Sequence, residues 1–366
     1  MSVAKNPALP SRRAVMSGFG TGMAAALTFG CMESLEPTPR QGHGGRILSF
    51  ADLPGWAADD HFAALEVYQN SFSRARSGGL GPTLADDWPR PTATDARGFF
   101  EENFTPVAAS GAKARFTAYY EPELAGSRNQ GGPYQHPLYA RPPELKDGRQ
   151  FLSREQISNG ALAGRGLELF WLTDPVESFF LHIQGSGRIR LPDGSVTRVG
   201  YAGQNGHAYS SIGRILVEAG AMSLNQASAQ SIKTWVRDEP VRGKALLNKN
   251  ASYVFFKERT ELAPELGPVG ALGLPLTPGR SVAVDPSIQP LGAPIWVETD
   301  GAPGYQGRLM VAQDVGGAIK GPQRADLFIG SGDTAGQIAG RVRSGGRLVT
   351  LLPNRAAARM IQAPSS

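Results

Sequence analysis

Cysteine is all but missing from this 366-residue chain: Cys31 stands alone, so no disulfide can form within it. Histidine is nearly as scarce. His43, His61, His136, His182 and His207 are scattered, no His-x-x-x-His or paired-cysteine spacing occurs, and no metal is expected. Charged residues make up only 19%, and the formal charge of +5 overstates the basicity, because residues up to Cys31 hold Lys5, Arg12 and Arg13 and no acid, leaving +2. With no basic run interleaved with aromatics, that excess is too small to imply a nucleic-acid partner. A Gly-x-Ser-x-Gly elbow is lacking too: Ser186 sits in a Gly-Ser-Gly run without the strand-to-helix turn that exposes a serine nucleophile, which argues against a Ser-His-Asp hydrolase. Internal repeats and cofactor signatures are absent, and no cofactor is expected. What remains is 41% hydrophobic residues, enough for one or two cores, and the length predicts two domains.

At the N-terminus, paired Arg12 and Arg13 precede a small-residue apolar stretch from Ala14 to Phe29 that is too short and glycine-rich to span a bilayer stably. Residues 1–31 are therefore expected to be an export signal of the twin-arginine kind. Cys31 resembles a bacterial lipoprotein acceptor, with Leu27 to Cys31 as its lipobox, although Phe29 stands where a small residue is usual. Lipidation there would anchor the protein to a membrane without spanning it. Residues 32–45, rich in Pro, Glu and Gly, look like a tether, and folding should begin near Arg46.

Apolar spacing predicts a helix from Asp60 to Arg76 with Phe62, Leu65, Tyr68 and Phe72 on one stripe, and a second helix capped by Thr94 and Asp95 ahead of Phe99, Phe100 and Phe104. Strands are expected at Arg115–Tyr120, and at Ser178–Ile183 and Val196–Tyr201 as a hairpin turned at Asp193 and Gly194. Ser210 and Ser211 should cap one helix, and a Ser223–Gln226 capping box should open another running through Val236. Further strands at Tyr253–Lys257, Ser281–Asp285, Ala293–Val297, Arg308–Gln313, Ala325–Ile329 and Leu348–Leu352, with Gly and Pro between them, predict a small closed β-barrel.

Three aspartates stand at the ends of these strands: Asp285, Asp314 and Asp326. Acids at strand ends are commonly solvated turn formers, but the wording around them is more specific. DPSIQPLG from Asp285, QDVGGAIKG from Gln313 and RADLFIG from Arg324 resemble the three-aspartate (3D) domain of the MltA family of lytic murein transglycosylases. The resemblance continues, in the family's order, through FTAYYEP from Phe116, IQGSG from Ile183, GYAGQNGHAY from Gly200 and NASYVFFK from Asn250.

This resemblance implies a mainly β protein with flanking helices. A double-psi β-barrel domain would comprise residues 46–122 and 260–354, a smaller β-domain would be inserted at 123–259, and a substrate groove would lie between them. It implies cleavage of peptidoglycan glycan strands, with Asp326 as the catalytic acid and Asp314 and Asp285 in support. Substrate-binding positions would be Thr117, Tyr119, Tyr120, Gln184, Ser186, Gly187, Tyr201, Asn205, His207 and Lys320. Paired tyrosines suit a sugar platform, since an aromatic face stacks on a pyranose while a hydroxyl directs a hydrogen bond. The partners implied are glycan strands and cell-wall enzyme complexes, at the periplasmic face of the outer membrane or in the periplasm. Two alternatives stay open: a glycan-binding module without catalysis, and a hydrolase in which Asp314 acts through a bound water.

Overall fold

The computed structural model describes residues 45–76, 88–91, 95–109 and 113–362. The expected export signal with Cys31, residues 32–44 of the tether, His43 and Thr94 lie outside the described residues. The described residues begin with β1 (Gly45–Ile47), α1 (His61–Arg76), α2 (Ala96–Asn103), β2 (Phe104–Ala109) and β3 (Arg115–Glu121). They continue through β4 (Glu123–Ser127), β5 (His136–Tyr139), α3 (Arg154–Ser158), β6 (Glu168–Leu172), α4 (Pro175–Gln184), β7 (Ser186–Arg190) and β8 (Val196–Gln204). Next come α5 (Ile212–Glu218), α6 (Ala229–Asp238), α7 (Pro240–Asn248) and β9 (Val254–Glu258). The last part holds β10 (Ser281–Val284), β11 (Pro294–Thr299), β12 (Arg308–Val315), β13 (Arg324–Ser331), α8 (Gly332–Ala339), β14 (Arg343–Ser344), β15 (Gly346–Pro353) and α9 (Asn354–Gln362).

Two sheets result. The larger has nine strands in the order β1-β2-β15-β11-β12-β10-β13-β3-β14, and the smaller has six in the order β5-β6-β4-β7-β8-β9. The larger sheet is mostly antiparallel, but β10 runs parallel to β12 and β13 parallel to β3. The β13–β3 pair joins a strand early in the chain to one from its last third. The smaller sheet has one parallel pair, β4 with β7.

β12 reads as a near-continuous apolar run because both its faces are covered. Leu309 and Val311 point to a core with Trp296, Val349, Leu351 and the aromatics of α1 and α2. Met310 and Ala312 point the other way, to Phe116, Val282, Ile295, Leu327 and Leu348. Asp95 caps α2 by accepting from Gly98 N at 3.1 Å, as expected. On α1 the stripe is narrower than expected: Leu65, Tyr68 and Phe72 are buried, but Phe62 is 62% exposed. It lies in the first turn, beyond the edge of the aromatic cluster.

The expected strand Ser178–Ile183 is instead the body of α4. Its start is set by Asp174, whose side chain accepts from Val176 N at 2.7 Å, and by Pro175 in the first turn; its end is set by Gly185 in the left-handed region at φ 78°. The hairpin turned at Asp193 and Gly194 joins β7 to β8, so β7 takes the place of the expected strand. The Ser223–Gln226 box forms, with Ser223 Oγ donating to Gln226 Oε1 at 2.7 Å, but it closes a turn. Helix α6 opens later, capped by Ser228, whose Oγ accepts from Ser231 N at 3.1 Å. Helices α4 to α7 bury their own cluster around Phe179, Ile212, Val236 and Leu246, so the part containing the smaller sheet is a mixed α and β body.

Candidate active site

Register brings two acids of the larger sheet into one row. Asp326 on β13 lies opposite Thr117 on β3 and Ala283 on β10, and Ala283 in turn lies opposite Asp314 on β12. Paired residues on neighbouring strands share a face, so the order across the sheet is Thr117, Asp326, Ala283, Asp314. Ala283 carries only a methyl group, which leaves room for a carboxylate on either side. Tyr119, two residues beyond Thr117, shares that face, and its ring centroid lies 5.3 Å from that of Phe328.

Each carboxylate has its own hydrogen bonds. Thr117 Oγ1 donates to Asp326 Oδ1, while Arg324 Nη2 donates to Thr117 Oγ1 at 2.8 Å. The second oxygen of Asp326 takes no hydrogen bond among the described residues. Asp314 accepts from Tyr119 Oη at 2.8 Å on Oδ2 and from Ala271 N at 2.9 Å on Oδ1. Burial raises the pKa of Asp326; the Thr117 hydroxyl and the Arg324 charge oppose that without cancelling it. Burial raises Asp314 too, against the bonds from Tyr119 and the backbone, and the charge of Asp326 adds to the rise. Two half-buried acids with raised pKa values on one face are the arrangement expected of proton-transfer chemistry.

Asp285 is separate in character. Its Oδ1 accepts from Ser287 N at 3.1 Å and Ser287 Oγ at 2.8 Å, and its Oδ2 from Gly321 N at 2.9 Å. Lys320 Nζ lies 3.9 Å away. Burial alone would raise its pKa, yet these donors and Lys320 together hold it below the ordinary carboxylate value. Asp285 thus pins the glycine-rich loop after β12 to the end of β10, and both its oxygens are committed.

The remaining expected site residues divide between the sheets. Tyr120 N donates to Gln184 Oε1 at 3.2 Å, so the end of α4 meets β3 beside the row. The Tyr120 ring packs on Gly336 of α8, where an added Cβ would lie 2.7 Å from it. Ser186 is half-buried at the start of β7. At Gly187 a Cβ would lie 2.5 Å from Leu181 and 3.2 Å from Pro122 O, so that glycine is required by packing within the chain. Tyr201 is exposed on β8. Asn205 is fully buried, donating to Leu152 O and Ala251 O at 2.8 Å and accepting from Tyr253 N at 2.8 Å. His207 Nε2 donates to Phe151 O at 2.8 Å. Asn205 and His207 therefore staple segments of the smaller-sheet body, and the structure does not bring them to the row of acids.

Residues not singled out beforehand complete the surroundings. Arg324 orients Thr117, and its position two residues before Asp326 on an alternating strand was the available signal. Glu121, at the end of β3, is fully buried between the sheets. It meets Arg198 Nε at 2.7 Å and Arg188 Nε at 2.9 Å, and accepts from Ser331 Oγ at 2.7 Å. Arg198 Nη2 also donates to Leu266 O at 2.6 Å. One carboxylate thus ties β3 and β13 to β7, β8 and the connector that carries Ala271.

Known proteins resemble this chain over most of its length. Residues 115–257 match the MltA specific insert domain and residues 280–352 the 3D domain. Over 247 residues the chain is 39% identical to membrane-bound lytic murein transglycosylase A of Escherichia coli (strain K12); the match covers 65% of this chain and spans 65% of that relative's length. A solved membrane-bound lytic murein transglycosylase from Agrobacterium tumefaciens superposes with a TM-score of 0.74 at 33% identity, covering 87% of this chain and 99% of the other. The structure of E. coli MltA with bound chitohexaose gives 0.64 at 30% identity, covering 85% and 94%. With both domain types in the same order and near-complete coverage of a solved relative, this chain belongs to the MltA family.

Proposed function

We propose that this chain is a lytic murein transglycosylase, which cleaves the β-1,4 bond between N-acetylmuramic acid and N-acetylglucosamine without water and leaves a 1,6-anhydromuramoyl end. Support comes from the relatives' names and from the chitohexaose, a polymer of N-acetylglucosamine, held by the E. coli protein. The observation that carries the chemistry is Asp326: a half-buried acid of raised pKa, with one oxygen oriented by Thr117 and the other free of hydrogen bonds among the described residues.

In this mechanism protonated Asp326 gives its proton to the glycosidic oxygen as the bond from that oxygen to C1 of the muramoyl residue breaks. The muramoyl O6 then attacks C1, and the Asp326 carboxylate takes the O6 proton. One acid suffices because the substrate supplies its own nucleophile, whereas most glycosidases need a second carboxylate. Asp314, held by Tyr119, steadies positive charge developing at C1, and Asp285 keeps the adjoining loop in place.

The same proposal takes the larger sheet as a double-psi β-barrel of residues 46–122 and 260–354, with 123–259 inserted. The two parallel pairings and the single core gathered from six strands support this reading, in a sheet whose hydrogen-bonded strand order runs open from β1 to β14. Glycan would run along the seam between the sheets, past Tyr119, Tyr120, Gln184, Ser186 and Tyr201, with Lys320 at the loop after β12. Cys31 would carry the lipid anchor, at the periplasmic face of the outer membrane. Among the described residues no helix is long and apolar enough to cross a membrane.

Purified murein digested with the parent and with Asp326→Asn, followed by mass analysis of released fragments, is the test. Anhydro ends from the parent and loss of nearly all turnover in the variant, about 10²–10⁴-fold, are expected. Reducing ends from the parent would point to hydrolysis, with Asp314 directing water. No release by the parent would leave a glycan-binding module.

A further inference from the structure

A cavity of about 1080 Å³ lies away from the row of acids, in the body around the smaller sheet, between that sheet and helices α3, α4, α6 and α7. Its walls include the aromatic rings of Tyr139, Trp171, Phe179 and Tyr253. Two buried polar side chains are among its lining residues, and neither has its chemistry completed by the protein.

The first is Arg154, only 5% exposed. Its Nε donates to Asn250 O at 2.9 Å and its Nη2 to Ser252 O at 2.5 Å, and its guanidinium carbon lies 4.5 Å from the Phe179 ring centroid and 5.1 Å from that of Tyr253. These contacts hold the group in place but supply no negative charge. Among the described residues no carboxylate pairs with Arg154, and its Nη1 makes no hydrogen bond. Burial lowers its pKa to about 10, which still leaves it charged near neutrality. A buried cation without a counter-ion is costly unless something else supplies the charge.

The second is His182, 7% exposed, with its ring against Tyr253 at 4.3 Å. Both ring nitrogens are buried and neither has a hydrogen-bond partner. Burial and the neighbouring Arg154 push its pKa well down, so it stands neutral beside Arg154 and supplies that cation no negative charge. The acids that line the cavity are already engaged: Asp174 pairs with Arg237 at 2.7 Å, and Glu168 accepts from Gly164 N at 3.2 Å.

We infer that this cavity is a second ligand site, taking a molecule with one carboxylate on an apolar body: the carboxylate meets Arg154 Nη1, and the body packs on the aromatic wall. A single buried cation matches a single negative charge, and a cavity of this size has room for a short peptide or a small aromatic acid. Two sources share that chemistry, the C-terminus of a peptide and a free carboxylic acid. The inference does not depend on the reaction assigned to Asp326.

Calorimetric titration of the full chain, with no glycan present, tests it using N-acetyl-D-alanyl-D-alanine, phenylacetate, and the dipeptide's C-terminal amide. At least one acid should bind saturably below about 10 mM, and the amide should bind about tenfold or more weakly than the dipeptide acid if the peptide is the better ligand. Tighter binding of the dipeptide or of phenylacetate supports the site and assigns its source. Arg154→Met should weaken binding at least about tenfold and Arg154→Lys less. Because Arg154 also holds the backbone at Asn250 and Ser252, a second variant is needed: Ala163→Trp, at an exposed position on the rim, should block binding while the thermal melt and murein release stay parental. No binding of either acid to the parent, unchanged binding in folded Ala163→Trp, or, where the dipeptide acid binds, equal binding of its amide would overturn the inference.

Discussion

The Thr117 hydroxyl gives its only proton to Asp326, because Arg324 Nη2 donates to that same oxygen at 2.8 Å and leaves it no other direction to turn. The bond favours the ionised form of Asp326 and fixes which carboxylate oxygen remains for substrate. Thr117→Val keeps the shape and deletes the donor. It should fold normally, lower kcat about tenfold and raise the pKa of Asp326. A general acid loses activity as pH rises through its pKa, so the alkaline limb of the rate profile should move to higher pH. Parental kcat with an unmoved limb would remove Thr117 from the site.

Asp326 also predicts how stability depends on pH. Its folded-state pKa lies above the ordinary value of 3.8, so between those values the folded protein binds more protons than the unfolded one, and stability falls as pH rises. Asp326→Asn removes this cost. The variant should melt at or above the parental temperature near neutral pH, and its advantage should shrink as pH falls to the ordinary carboxylate range. An Asn variant that melts well below the parent at neutral pH would mean that ionised Asp326 supports the fold.

Tyr119→Phe isolates the hydroxyl that holds Asp314. The ring should stay against Phe328, the melt should change little, and kcat should fall about three- to tenfold, with KM for glycan moving less. A change confined to KM would instead assign Tyr119 to glycan binding.

Glu121→Ala should be among the most damaging single changes outside the row of acids. It strands Arg198, 6% exposed, without its partner, and breaking such a buried pair typically costs about 3–5 kcal/mol. Arg188→Ala, at the more exposed end of the cluster, should cost less. Urea unfolding of both variants gives the comparison, and a Glu121→Ala midpoint equal to that of the parent would show that the ion cluster does not hold the two sheets together.

Much of the larger sheet was legible because its strands carry their own signals. Ser281 to Val284 is a short β-branched run stopped by Pro286, and Arg308 to Gln313 is an apolar stretch stopped by glycines. The Ser178–Ile183 segment misled for a physical reason: its adjacent phenylalanines suit either a strand or a buried helix, and the deciding Asp174, Pro175 and Gly185 lie outside it. Asn205 and His207 showed the opposite problem. A polar side chain in a loop looks the same in sequence whether it faces a ligand or its own backbone, and both face backbone here.

The order of amino acids by itself determined β3, the later strands of the larger sheet, the starts of α1, α2 and α5, and the motifs that mark the family, because propensity, capping and turn chemistry act within a few residues. Tertiary structure alone decided that Asp326 and Asp314 share a row across Ala283, that Thr117 reaches Asp326 from 209 residues away, and that Glu121 is enclosed between two arginines of the other sheet. The physical reason is register. A strand's partner and its offset are set by burying both faces of a sheet at once, and a slip of one residue would turn every one of these side chains to the opposite face.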